Sequence, residues 1–142
     1  MGERGVPERL SRPAHYDGMR IAYILLAPLA LAACAIIPAG PLAEGTPVAL
    51  GQPVRVGNLI AVPEKVIEDS RCPINARCVW AGRAIVSTRI DGQGWQETTP
   101  LTLGEPYATH GTTITLVSVE PGQLAGKPTD PKDYRFVFEG GQ

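Results

Sequence analysis

The chain has 142 residues, 13 Lys plus Arg against 14 Asp plus Glu, a net charge of −1 and 44% hydrophobic residues. That is the composition of a folded globular chain, and the length suits one domain. The charge balance excludes a strongly basic nucleic-acid binder, and a single long uncharged run excludes a multi-span membrane protein.

The first 18 residues are polar and contain Pro7 and Pro13. They do not read as the start of an export signal, so residues 1–18 are expected to be a misassigned start or a disordered leader. Met19 and Arg20 then precede a run without charge from Ile21 to Ala43. Its apolar centre, Ile21 to Leu31, has the length of a secretory core. The run passes through Leu31-Ala32-Ala33-Cys34. This resembles the lipobox of bacterial lipoproteins. The resemblance implies a signal peptide over 19–33, cleavage before Cys34, a diacylglycerol on the Cys34 thiol and a fatty acid on the new amino group. Several acyl chains, at about 0.8 kcal/mol per buried CH₂, hold a small domain to a bilayer durably. Ala35 in place of Asp implies outer-membrane sorting in a two-membrane bacterium. An uncut membrane span is the rival reading, since about 20 apolar residues suffice. Pro28, Pro38 and Pro41 speak against it.

Cleavage would leave Cys34 to Gln142 with nine basic and eleven acidic side chains. Residues 34–45, rich in Pro and Gly, read as a lipidated Cys and tether. Residues 46–142 read as the folded domain. Lipidation of Cys34 leaves Cys72 and Cys78, which an oxidising compartment would pair. The spacing is C-x₅-C rather than the C-x-x-C of redox motifs. A zinc site would need further ligands, and only His110 is at hand in that part.

Short alternating runs between turn residues dominate, and no window shows a helical apolar pattern. Thr46 to Leu50 and Val54 to Val62 read as strands, broken by Gly51-Gln52-Pro53 and by Gly57-Asn58, and Lys65 to Asp69 reads as a short one. Cys78 to Ile90 reads as the longest, with Trp80, Ala84, Val86 and Ile90 on one face. Asp91-Gly92-Gln93-Gly94 is a hairpin turn. Trp95 to Leu103 returns from it, with Pro100 marking an edge or bulge. Thr112 to Glu120 changes parity near Leu116, which predicts a bulge or two buried faces. Pro121 to Lys132 is a loop. Tyr134, Phe136 and Phe138 alternate with charged or smaller neighbours in a last strand. About seven strands predict an all-β fold, a small antiparallel β-sandwich, with a small barrel second.

The segment from Glu68-Asp69-Ser70-Arg71-Cys72-Pro73 to Cys78-Val79-Trp80-Ala81-Gly82 resembles a motif of small uncharacterised secreted bacterial proteins and lipoproteins. Pro131-Lys132-Asp133-Tyr134-Arg135 resembles their closing strand. The likeness implies a secreted β-domain and no particular activity.

Arg71, Arg77 and Trp80 are candidate binding residues, because a stapled loop loses little entropy on binding and Arg and Trp are favoured anchors. The competing expectation is structural: Trp80 packs beneath the loop, and Glu68 or Asp69 pairs with Arg71 or Arg77. No catalytic residue is assigned. His110 sits in a turn, and no Ser has a nucleophile-elbow context. Asp130, Asp133 and Glu139 lack a calcium-loop pattern. No metal site and no cofactor is expected. The sequence thus reads as a lipid-anchored cell-envelope protein, structural or binding in role. Its expected contacts are a membrane through the anchor and an envelope protein partner, with no nucleic acid. An inhibitor or adhesin using loop 71–80 and a carboxylate-dependent hydrolase are the rival readings.

Overall fold

A computed structural model describes residues 40–140. Residues 1–39, and with them the expected signal peptide and Cys34, lie outside the described residues, as do 141–142.

Seven strands form two antiparallel sheets. They are β1 (Val54–Val56), β2 (Leu59–Asp69), β3 (Ala84–Gly92), β4 (Trp95–Thr102), β5 (Pro106–Thr109), β6 (Thr112–Glu120) and β7 (Arg135–Gly140). The first sheet has the order β1-β2-β3-β4 and the second β5-β6-β7. The fold is the expected β-sandwich. Its core is Val54, Val56 and Leu59, with Val86 and Ile90 of β3, Ile114 and Leu116 of β6, and Phe136 and Phe138 of β7. Both phenylalanines are fully buried. Each such side chain withdrawn from water contributes about 1.5–3 kcal/mol.

Period-two burial explains most of the strands. Ala84, Val86, Thr88 and Ile90 are buried along β3. Tyr134, Phe136 and Phe138 do the same at the close of the chain. The hairpin at Gln93-Gly94 brings Gly92 opposite Trp95. Gly94 holds φ +78°, the left-handed region that such a turn needs. Pro100 lies on β4, the outer strand of its sheet, where a missing N–H breaks no ladder. The parity change in β6 is a bulge between Leu116 and Ser118.

Four expectations need correction. Thr46–Leu50 is not a strand, because only Val48 bridges to β7, whereas the break read at Gly57-Asn58 is the turn between β1 and β2. β2 runs through Pro63 into the segment read as a separate strand from Lys65, with register shifts at Pro63/Lys65 and Val66/Glu68. β3 begins at Ala84, not Cys78, because Gly82 takes φ +69° and breaks the extended run. Pro106–Thr109 is a strand that sequence reading left out, recruited by pairing with β6.

The N-terminal segment joins both sheets. Leu42 pairs in parallel with Val54, and Val48 pairs antiparallel with Phe136. Glu44 accepts from the Gly57 and Gly140 amides at 3.0 and 2.9 Å. Residues 42–45, read as tether, are therefore bonded into the domain.

The strand directions give the sandwich two distinct ends. One end carries the turns at Gly57-Asn58, Gln93-Gly94 and His110-Gly111. There Trp95 stacks on His110 with ring centroids 3.8 Å apart. Thr109 Oγ1 donates to Glu97 Oε1 at 2.6 Å, so the two sheets are joined by side chains. The other end carries residues 70–83 and 121–134.

Candidate functional site

Residues 70–83 close the β2–β3 hairpin. The ladder continues past the strands: the Ser70 amide donates to the Arg83 carbonyl at 2.8 Å, and the Cys72 amide to the Ala81 carbonyl at 2.9 Å. Gly82 allows this. A Cβ at that position would stand 1.8 Å from the Ser70 carbonyl oxygen. Beyond this neck, Cys72 and Cys78 form a disulfide with Cα atoms 5.9 Å apart. His110 is at the opposite end of the sandwich. Among the described residues no group of three or more His, Cys, Asp or Glu is placed to hold a metal ion.

The loop is also docked sideways. The Ile74 amide donates to the Gln123 carbonyl at 2.9 Å, and the Ala125 amide donates to Asn75 Oδ1 at 2.9 Å. The two loops are thus bonded into one surface. A disulfide closing so short a ring adds about 2 kcal/mol in the chain-entropy picture. Cys72→Ser/Cys78→Ser is expected to stay folded and to lose about that much in urea unfolding. A loss near zero would mean that the lateral bonds alone hold the loop.

Beneath the loop lies an ion pair. Arg71 Nε and Nη2 donate to Asp69 Oδ1 and Oδ2, both at 2.7 Å. Arg71 Nη1 also donates to the Val119 carbonyl, and Nη2 to the Pro121 carbonyl at 3.0 Å. Tyr134 donates its hydroxyl to Asp69 Oδ2 at 3.0 Å, and Gln123 Nε2 donates to the Asp69 carbonyl at 3.2 Å. The side chains of Asp69 and Arg71 are only 5% and 16% exposed. Burial pushes the Asp69 carboxyl up, but the bonds from Arg71, Gln123 and Tyr134 outweigh it and hold it below the usual range. Glu68 is also held low, chiefly by Arg83, whose guanidinium grips it through Nε and Nη2 at 2.9–3.1 Å.

The three candidate binding residues therefore part company. Arg71 turns inward, and all its recorded bonds are internal. Arg77 is exposed and makes no hydrogen bond or ion pair among the described residues. Trp80 is 66% exposed, and does not pack beneath the loop as the structural expectation had it. Val79, next to it, is fully exposed, and Ile74 in the same loop is 76% exposed. The other half of that expectation holds in part, since Asp69 pairs with Arg71 while Glu68 pairs with Arg83. Sequence reading missed Tyr134, Gln123 and Arg83 as partners. The pairing of β2 with β3 brings Arg83 to this end, and the packing of the 121–134 segment brings the other two.

The outcome is a rigid tip that shows three apolar side chains and a cation to solvent. A groove of about 670 Å³ opens beside it, walled by Ile67, Asp69, Pro73, Leu124 and Tyr134. Glu68 and Asp69 line this groove too, but each is held ionised by an arginine, whereas a general acid must keep its proton. No protein-family model, curated protein or solved structure matches this chain.

Proposed function

We propose that this chain is a lipid-anchored cell-envelope protein that works by binding, with the stapled loop as its contact surface. The observation that carries the binding role is the exposure of Trp80, Val79 and Ile74 on a loop locked by Cys72–Cys78 and docked on residues 123–125. Large apolar side chains held in water cost free energy unless something covers them in use. The rigid backbone keeps the ordering cost of that event low. The anchor itself is supported by Leu31-Ala32-Ala33-Cys34. It places the domain on the extracytoplasmic side, at the periplasmic face of the outer membrane where the host has two membranes. The hydrolase reading gains no support from Glu68 and Asp69, whose lowered proton affinity suits structural pairing.

If the loop serves contact rather than folding, its tip is dispensable for stability. Arg77→Ala and Trp80→Ala are each expected to leave the thermal midpoint within the scatter of surface substitutions, about 0.5 kcal/mol. A loss of 2 kcal/mol or more, on the order of a packed aromatic, would return Trp80 to the structural role.

A further inference from the structure

We propose that the stapled loop seats on the same bilayer that holds the anchor, with Trp80, Val79 and Ile74 in the headgroup region and Arg77 against lipid phosphates. This rests on the acylated Cys34 proposed above, and it commits the loop to phospholipid in preference to a protein.

The first support is the direction from which the chain arrives. Leu42 runs parallel to β1, bonded to the Pro53 carbonyl at 3.0 Å and the Arg55 amide at 2.7 Å. β1 runs antiparallel to β2, and β2 ends at the stapled loop. Residues 40–44 therefore run away from the loop end, toward the turn at Gly57-Asn58, where Glu44 is bonded. The chain comes into the domain from the side on which the loop projects.

The second support is reach. Leu42 pairs with Val54, and Val54 with Ala61, which sets Gly40 near the level of Pro63. From there to Asp69 the strand climbs about 20 Å, at about 3.3 Å per residue. Residues 34–39, fully extended, span about 20 Å as well. A tether of that length is long enough for an acylated cysteine to come level with Asp69, at the base of the loop.

The third support is chemistry. The loop end gathers Ile67, Ile74, Val79, Trp80 and Leu124 as exposed hydrophobics. At the opposite end the turn tips, Gly57-Asn58, Gln93-Gly94 and His110-Gly111, carry none; the two other exposed large hydrophobics among the described residues, Leu42 beside β1 and Val117 in β6, are each 38% exposed. An indole beside a cation on a long apolar stem suits the boundary between acyl chains and headgroups. Arg77 meets no anion among the described residues. The acyl chains hold the protein, and the loop sets how the domain stands on the surface.

The test uses the full chain, made in a bacterium that acylates lipoproteins and reconstituted into phosphatidylethanolamine/phosphatidylglycerol vesicles. Some lipids carry a nitroxide at headgroup depth. The protein should float with the vesicles, and its indole emission should be quenched by the nitroxide. Trp80→Phe should float equally well and lose that quenching, because Trp95 lies at the far end. A protein that floats with Trp80 unquenched overturns the bilayer contact and leaves the anchor standing. Quenching of Trp80 that disappears when an envelope protein extract is added assigns the loop to a protein partner and overturns the proposal. A chain that behaves like Cys34→Ser and stays in the aqueous phase overturns both.

Discussion

Gly82→Ala should lower the melting temperature of the protein by roughly 12–24 °C. The left-handed φ of +69° at this position costs a side chain about 1–2 kcal/mol. The larger part is steric. The new Cβ would meet the Ser70 carbonyl oxygen at 1.8 Å and the Ser70 carbonyl carbon at 2.6 Å. Both are backbone atoms, so no side chain can rotate aside. Relief requires moving the neck of the hairpin, which costs the Ser70–Arg83 and Cys72–Ala81 bonds. The sum is about 3 kcal/mol, among the larger losses that one substitution brings. Gly94→Ala is the matched control. It has φ +78° with nothing within 4 Å of the new Cβ. It should lose only the conformational part, about 1 kcal/mol, or roughly 4–8 °C. Circular dichroism melts of the two variants decide the matter. Equal melting temperatures would contradict the close approach at the neck.

Arg71→Met is expected to cost about 3–4 kcal/mol, the usual consequence of removing one partner from a buried pair. It strands the Asp69 carboxylate, which is only 5% exposed, and removes the donor to the Val119 and Pro121 carbonyls. Changing Asp69 to Leu in the same chain removes the stranded charge. The double variant should therefore be more stable than Arg71→Met alone. The same pair sets the acid limb of stability. The Asp69 carboxyl is lowered in the folded protein, so it binds its proton more readily once unfolded. Its contribution is whole above the unfolded value, about 4, and is lost as pH falls through the lower folded value. Urea midpoints of the wild type should therefore drop below about pH 4. Asp69→Asn should start lower and fall less steeply there. Tyr134 acts with the opposite sign. Burial, then its bond to Asp69, raise its phenol. That contribution is whole below about pH 10 and is lost as pH climbs through the folded value. Identical acid slopes in wild type and Asp69→Asn would contradict the pairing.

Local chemistry made several elements readable. Asp91-Gly92-Gln93-Gly94 announced its hairpin, and the alternation of Tyr134, Phe136 and Phe138 announced β7. The parity slip at Leu116 announced the bulge of β6. Elements supplied by tertiary pairing were not readable. Pro106–Thr109 has four residues and no apolar alternation, so only its partner β6 defines it. Thr46 to Leu50 has strand-like residues yet forms a single bridge, because Val48 alone meets β7. Trp80 shows how alternation misleads. Its spacing from Ala84 fits a buried strand face, but Gly82 lies between them and turns the backbone. A Gly inside a strand pattern was the available signal. The site divided in the same way. The Cys72–Cys78 bridge followed from cysteine arithmetic. Arg71 and Arg77 look alike in sequence, although Asp69 and Arg71 stand two apart, the spacing that shares one side of an extended chain. Arg83, Gln123 and Tyr134 meet Glu68 and Asp69 across 15 to 65 residues; the pairing of β2 with β3 brings Arg83, and only the packing of the second sheet's 121–134 segment against this end brings the other two.

The central claim is that Cys34 carries the protein to a membrane and Cys72–Cys78 shapes its exposed tip. Intact mass spectrometry of the full chain, expressed in a bacterium with lipoprotein processing, tests both at once. The account predicts a species that begins at Cys34, is heavier by a diacylglycerol and an acyl chain, and is lighter by two hydrogens for the disulfide. A full-length, unlipidated chain with free thiols would contradict it.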